Sequence, residues 1–135
     1  MRARSVAVVA GIVGGVGWLA KMVVMWTQGG PDLDSVPETI AFLTGLVGVA
    51  VAAVATGVHL TRGRGVGARI LGGIGVLVVV VLVVGGGQEL LTALPGDSWV
   101  QAEAIFGLVG LVAVVTSATL IRTPPSSRHR RVNRA

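Results

Sequence analysis

Two ionisable side chains of opposite charge stand inside long apolar segments of this sequence. Lys21 lies five residues before Trp26, near the end of the first apolar segment, and Glu103 lies four residues into the last one. Burying a charge in an apolar segment costs free energy, so such a residue is by default a candidate for function. Lys21 and Glu103 could therefore form a pair. The polar residues expected near this pair are Gln88, Glu89 and Gln101.

Other residues that could carry chemistry are few. The chain has no cysteine, which excludes disulfides and thiolate chemistry. Its histidines, His59 and His129, lack neighbouring ligand residues, so we expect no metal site. No serine-hydrolase or zinc-protease motif occurs, and the glycine runs are not followed by the Lys-Ser/Thr of a phosphate-binding loop. We therefore predict no catalytic residue, no cofactor and no enzymatic activity.

The elements that must position Lys21 and Glu103 are predicted to be transmembrane helices. Hydrophobic residues make up 53% of the chain and charged residues only 13%, which excludes a disordered chain and disfavours a soluble globule. We predict an all-α integral membrane protein in which residues 1–122 form an up-down bundle of two helical hairpins. Four apolar stretches reach the roughly 20 residues that a spanning helix needs: about 5–26, 39–60, 66–86 (or further, through Gln88 and Glu89) and 99–121.

The charges are segregated along the chain. Ten of the 11 basic residues precede the first stretch, lie between the second and third, or follow the fourth. All six acidic residues lie elsewhere. By the positive-inside rule, both termini and the Arg62–Arg69 loop are cytoplasmic. The usage of valine, alanine, glycine and arginine is typical of bacterial proteins, so we expect a multi-pass protein of the bacterial cell membrane.

This topology leaves two alternatives for Lys21. In the functional alternative, Lys21, Glu103 and the nearby polar residues line a pocket that opens to the outside. In the structural alternative, Lys21 extends to the outer headgroups, or its pair with Glu103 joins two helices. The sequence alone leaves both open.

Small residues are predicted to pack the helices, because association in a bilayer depends on close backbone approach. Pairs of small residues spaced by four recur, and a Gly-Leu-Val-Gly segment occurs in both the second and the fourth stretch. Such faces could pack within the bundle or dock a second copy or another subunit. The glycines predicted to pack helices are Gly11, Gly15, Gly45, Gly48, Gly72, Gly107 and Gly110.

Residues 123–135 are predicted to be a disordered, basic cytoplasmic tail. Its arginines set topology and could attract anionic lipid. No aromatic platform accompanies them, so we expect no binding of nucleic acid.

These observations favour a small non-enzymatic membrane protein that acts as an accessory or interaction subunit. Its expected partners are the lipid bilayer and either a second copy or another membrane protein. The alternative is a small oligomeric transporter or channel that uses the polar cluster around Lys21, Glu89 and Glu103.

Overall fold

The computed structural model describes residues 2–32, 34–96 and 98–122 and confirms the all-α prediction. No strand occurs among these residues. Each helix is long and apolar enough to cross a membrane, as expected of a multi-pass membrane protein. The predicted basic tail, 123–135, lies outside the described residues. The helices are α1 (Ala3–Gln28), α2 (Val36–Leu60), α3 (Val66–Thr92) and α4 (Trp99–Arg122).

Two helices extend beyond the apolar stretches that predicted them. α2 begins at Val36 rather than near 39, because Ser35 caps it: the Ser35 hydroxyl accepts a hydrogen bond from the Glu38 N–H at 3.4 Å. α3 continues to Thr92 rather than ending near 86. The Thr92 hydroxyl bonds the carbonyls of Gln88 and Glu89, both at 3.0 Å. Hydropathy therefore locates the apolar part of a helix. Polar contacts such as the Ser35 cap determine at which residue the helix begins.

The turn after α1 depends on glycine. Gly29 has a left-handed backbone with φ of 83°, and the Gly30 N–H bonds back to the Met25 carbonyl at 2.9 Å. This is the hydrogen bond by which a glycine cap terminates a helix. It turns the chain towards the loop that carries Asp32.

α1 is the central helix and α3 the peripheral one. α1 packs against α2 and α4, while α3 contacts α2 and, less extensively, α4. The buried residues of α1 include Trp18, Lys21 and Met25, whereas the only buried residue of α3 is Gly73. The interior of the described bundle therefore lies along the two sides of α1.

Glycine allows α1 to approach both neighbours. A Cβ atom on Gly17 would lie 2.7 Å from the Gly45 nitrogen of α2, and one on Gly15 would lie 2.5 Å from the Gly110 carbonyl oxygen of α4. Real Cβ atoms are not found so close to backbone atoms, so larger residues would separate the helices. Both Gly-Leu-Val-Gly segments, 45–48 and 107–110, face α1.

Each of the seven predicted packing glycines lies against a neighbouring helix. The contacts beyond those already described are Gly11 with Ser117, Gly45 with Trp18, Gly48 with Gly14, Gly72 with Thr61 and Gly107 with Met22. Four other glycines of α3 differ: a Cβ on Gly67, Gly75, Gly85 or Gly86 would meet nothing within 4 Å. The intramolecular bundle therefore uses most of the small-residue faces and leaves part of α3 free.

Candidate functional site

An ion pair joins α1 to α4 at one end of the bundle. The Lys21 ammonium donates a hydrogen bond to a carboxylate oxygen of Glu103. Their side chains are 7% and 19% exposed, so the pair is largely withdrawn from the surroundings. Removing one partner of a buried pair leaves the other charge uncompensated, at a cost of about 3–5 kcal/mol. This ion pair therefore stabilises the contact between α1 and α4, whether or not it also has a function.

Two aromatic rings surround the same ammonium group. The Lys21 nitrogen lies 4.9 Å from the centroid of the Phe106 ring and 5.3 Å from that of Phe42. Both distances are within the range of a cation–π interaction. The rings also pack edge to face on each other, with centroids 5.8 Å apart. α2 and α4 thus each supply one ring to hold a cation that α1 provides.

Trp18 extends this aromatic cluster towards the middle of the bundle. Its ring packs edge to face on Phe106 with centroids 5.1 Å apart, and it is 2% exposed. The indole fits because Gly45 has no side chain: a Cβ there would overlap the Trp18 ring. The buried indole Nε1 has no hydrogen-bond partner among the described residues.

A cavity of about 340 Å³ lies beside the ion pair. We call it the Lys21 cavity. Its lining comes from all four helices and from the loop between α1 and α2. The lining residues are Lys21, Pro31, Asp32, Glu38, Thr39, Phe42, Leu43, Gln88, Glu103 and Phe106.

Glu38 is another acid of this cavity, and it is buried, with 7% of its surface exposed. In a capping box, the acid three residues after the capping serine reaches back to the N–H of that serine, which here is Ser35. The Glu38 carboxylate accepts instead from the Asp32 N–H at 2.9 Å, while the Ser35 N–H bonds to the Asp32 carbonyl. Glu38 therefore ties the loop to α2. Its carboxylate has no cationic partner among the described residues.

The five polar residues singled out in the sequence divide into two groups. Lys21, Glu103 and Gln88 line the cavity. Glu89 is exposed on α3, and Gln101 donates its amide N–H to the Pro95 carbonyl at 3.4 Å, so neither belongs to the lining. One helical step separates Gln88 from Glu89, and it turns the two side chains in different directions.

Residues that the sequence reasoning missed are Glu38, Phe42 and Phe106, and a spacing signal could have found them. The chain has only two phenylalanines. Phe42 follows Glu38 by four residues and Phe106 follows Glu103 by three, so each ring shares a helix face with an acid. Read together with Lys21, this repeated acid–aromatic spacing predicts a cage for a cation.

The groups that line the Lys21 cavity could bind a charged ligand. Among the described residues, no group of three or more His, Asp or Glu side chains could hold a metal ion. The cavity combines carboxylates, one ammonium group, an amide and aromatic rings. Such a set can recognise charge.

Comparisons with known proteins add no relative. No protein-family model, no curated protein and no solved structure matches this chain.

Proposed function

We propose that this chain is a small, non-enzymatic, multi-pass membrane protein that acts as an interaction subunit and presents α3 to another membrane protein. The observation that carries this proposal is the unequal burial of the four helices. α3 has 27 residues and buries only Gly73, although its most apolar 18-residue stretch has a mean hydropathy of 2.6, the highest such value among the four helices. A helix held so loosely by its own bundle has most of its surface available for a partner.

The exposed side of α3 has the composition expected of a helix–helix contact. We call it the α3 free face, formed by Leu71, Gly75, Val78, Leu82 and Glu89, which are all exposed. Their spacing of three, four or seven residues places them on one side of a helix. Gly75 permits close backbone approach. Glu89 at one end offers a charge that a basic residue of a partner would complement.

The proposal includes a topology. We propose an up-down bundle in the bacterial cell membrane with both termini and the loop between α2 and α3 in the cytoplasm. Support for alternating directions comes from the contacts of Gly17 with Gly45 and of Gly14 with Gly48, which run oppositely along the two helices. The positive-inside rule supports the orientation, because Arg62, Arg64 and Arg69 flank one connection.

Extraction from native membranes with a mild detergent tests the subunit proposal. We expect the chain to elute with one other membrane protein at fixed stoichiometry. Gly75→Leu should abolish this association by preventing close approach on the α3 free face. The matched control is Gly63→Leu, which lies outside α3 and where a Cβ also meets nothing within 4 Å. A chain that stays monomeric in every mild detergent contradicts the proposal.

The second candidate function, a small oligomeric transporter or channel, is favoured by the Lys21 cavity. Against a passage inside one bundle, α1 packs backbone to backbone with α2 at Gly17–Gly45 and with α4 at Gly15–Gly110. A pathway would therefore have to form between copies. Recovery of a pure homo-oligomer whose thermal stability responds to a ligand would favour this candidate over the first.

A further inference from the structure

The buried charges of the Lys21 cavity do not balance. Its acids include Glu38, which is buried with 7% of its surface exposed, and Glu103, which is partly buried with 19% of its side chain exposed, whereas Lys21 supplies the only positive charge of the lining. Asp32 adds a third carboxylate at the more exposed rim. A buried carboxylate without a counter-charge is unfavourable. The lining therefore carries more negative than positive charge, and Glu38 is a buried acid with no cationic partner among the described residues.

A second, apolar cavity borders the Lys21 cavity. It measures about 310 Å³ and shares Phe106 as a wall. Along α2, the lining passes from Leu43 to Leu46 and Ala50, which lie on one helix face. Along α3, the lining residues change from Gln88 in the Lys21 cavity to Gly85, Val84 and Val81 in the apolar cavity. The Lys21 cavity, with its charged residues, and the apolar cavity are thus neighbours, and residues of α2 and α3 line both of them.

We propose that these two cavities form one site for an amphiphilic amine: its ammonium group pairs with Glu38, and its apolar chain lies against Trp18 and Ala50. The ammonium group of the ligand supplies a positive charge next to Glu38. The alkyl chain of the ligand covers apolar surface of the protein that would otherwise face lipid or water. Lys21 occupies the neighbouring aromatic cage and leaves Glu38 for the ligand. The inference goes beyond the proposed function, because it assigns a ligand to a part of the bundle that the α3 free face does not include.

Trp18 provides a direct readout in the purified full-length chain. The chain has three tryptophans. A variant with Trp26→Phe and Trp99→Phe leaves Trp18, which lines the apolar cavity, as the only indole. The probe is octylammonium with bromine on its terminal carbon, and brominated octanol is the neutral control. We expect the ammonium probe to quench Trp18 at concentrations about tenfold or more below those needed by the alcohol. Equal quenching by both probes overturns the proposal.

A charge variant tests the head of the site. Glu38→Gln keeps an oxygen that can accept from the Asp32 N–H while removing the charge, so the fold should persist. We expect it to weaken octylammonium binding about tenfold or more and to leave octanol unchanged. The matched control is Asp34→Asn, an exposed acid of the same loop that does not line the cavity. Unchanged ammonium binding in Glu38→Gln contradicts the assignment.

A volume variant tests the tail of the site. Gly85 lines the apolar cavity, and a Cβ there meets nothing within 4 Å, so Gly85→Leu can occupy ligand space without displacing the helix. We expect it to weaken octylammonium binding while butylammonium binds as before. Gly86→Leu is the control, because its Cβ is equally free and it lines neither cavity. Equal effects of the two leucines overturn the tail assignment.

The ammonium group could belong to a soluble amphiphile or to a lipid headgroup. Nanodiscs of phosphatidylglycerol, with and without phosphatidylethanolamine that carries brominated chains, distinguish these sources. Quenching of Trp18 that depends on the ethanolamine lipid and is lost in Glu38→Gln assigns the lipid. Binding of octylammonium that this lipid does not compete with assigns a soluble amphiphile. If neither ligand binds in a manner that depends on Glu38, the proposal is wrong.

Discussion

Glu103 of α4 accepts a hydrogen bond from the Lys21 ammonium of α1, and the Phe106 ring, one turn beyond the acid, lies 4.9 Å from the same nitrogen. One turn of α4 therefore supplies both a charge and a ring to one buried cation. This relationship fixes the relative height of α1 and α4, and it forms one wall of the Lys21 cavity.

A double-mutant cycle measures this pair. Lys21→Met and Glu103→Gln should each insert into the membrane but lower the free energy of unfolding by about 3–5 kcal/mol, since each leaves an altered, unbalanced site. The double variant should recover a large part of that loss, because no unpaired charge remains at the pair. Thermal or denaturant unfolding in neutral detergent gives the values. The exposed Glu89→Gln is the control, and additive losses in the double variant would contradict a coupled pair.

Glycine packing at α1 gives a second prediction. Gly14→Ala places a methyl group onto the backbone of α2 at Gly48 and Val49 and should cost about 1–3 kcal/mol of folding free energy. Gly86→Ala, in the free part of α3, should be neutral or stabilising by up to about 1 kcal/mol, because alanine favours a helix. Unfolding of the two variants in the same detergent is compared. Equal effects would mean that α1 and α2 are not in backbone contact.

The cap of α2 gives a third prediction. Ser35 accepts from the Glu38 N–H and also from the side-chain amide of Gln28 at 2.5 Å, and it is 7% exposed. Ser35→Ala should therefore lower the free energy of unfolding by about 1–2 kcal/mol. Ser98→Ala, at the exposed start of α4, should cost less, because within the described part of the chain its hydroxyl accepts from the Val100 N–H alone, at 3.2 Å. The reverse order of the two losses would refute this account of the α2 cap.

The proposed orientation gives a fourth prediction, and the absence of native cysteine makes it simple to measure. Asp34→Cys, in the loop between α1 and α2, should react with a membrane-impermeant maleimide on intact cells. Gly63→Cys, in the loop between α2 and α3, should react only after the cells are permeabilised. Neither position is packed: Asp34 is exposed, and a Cβ on Gly63 meets nothing within 4 Å. The opposite labelling pattern would invert the topology.

Hydropathy and loop composition predict the number and kind of elements well. The run from Thr39 to Leu60 is helical as expected, and the cap at Ser35 explains why α2 begins before its apolar stretch. These properties depend on side chains close in sequence. They can therefore be derived from composition and spacing without knowing which helices touch.

What the sequence by itself determined is the set of four apolar helices and the presence of two opposite charges, Lys21 and Glu103, near one end of two of them. Only the tertiary structure decided that α1 is central, that Gly17 faces Gly45 while Gly75 faces nothing, and that Glu38 shares a cavity with the ion pair while Glu89 does not. The physical reason is that every face of these helices is nearly equally apolar, so hydrophobicity selects no partner. The choice depends on which small residues let backbones approach, and that is a property of two surfaces together.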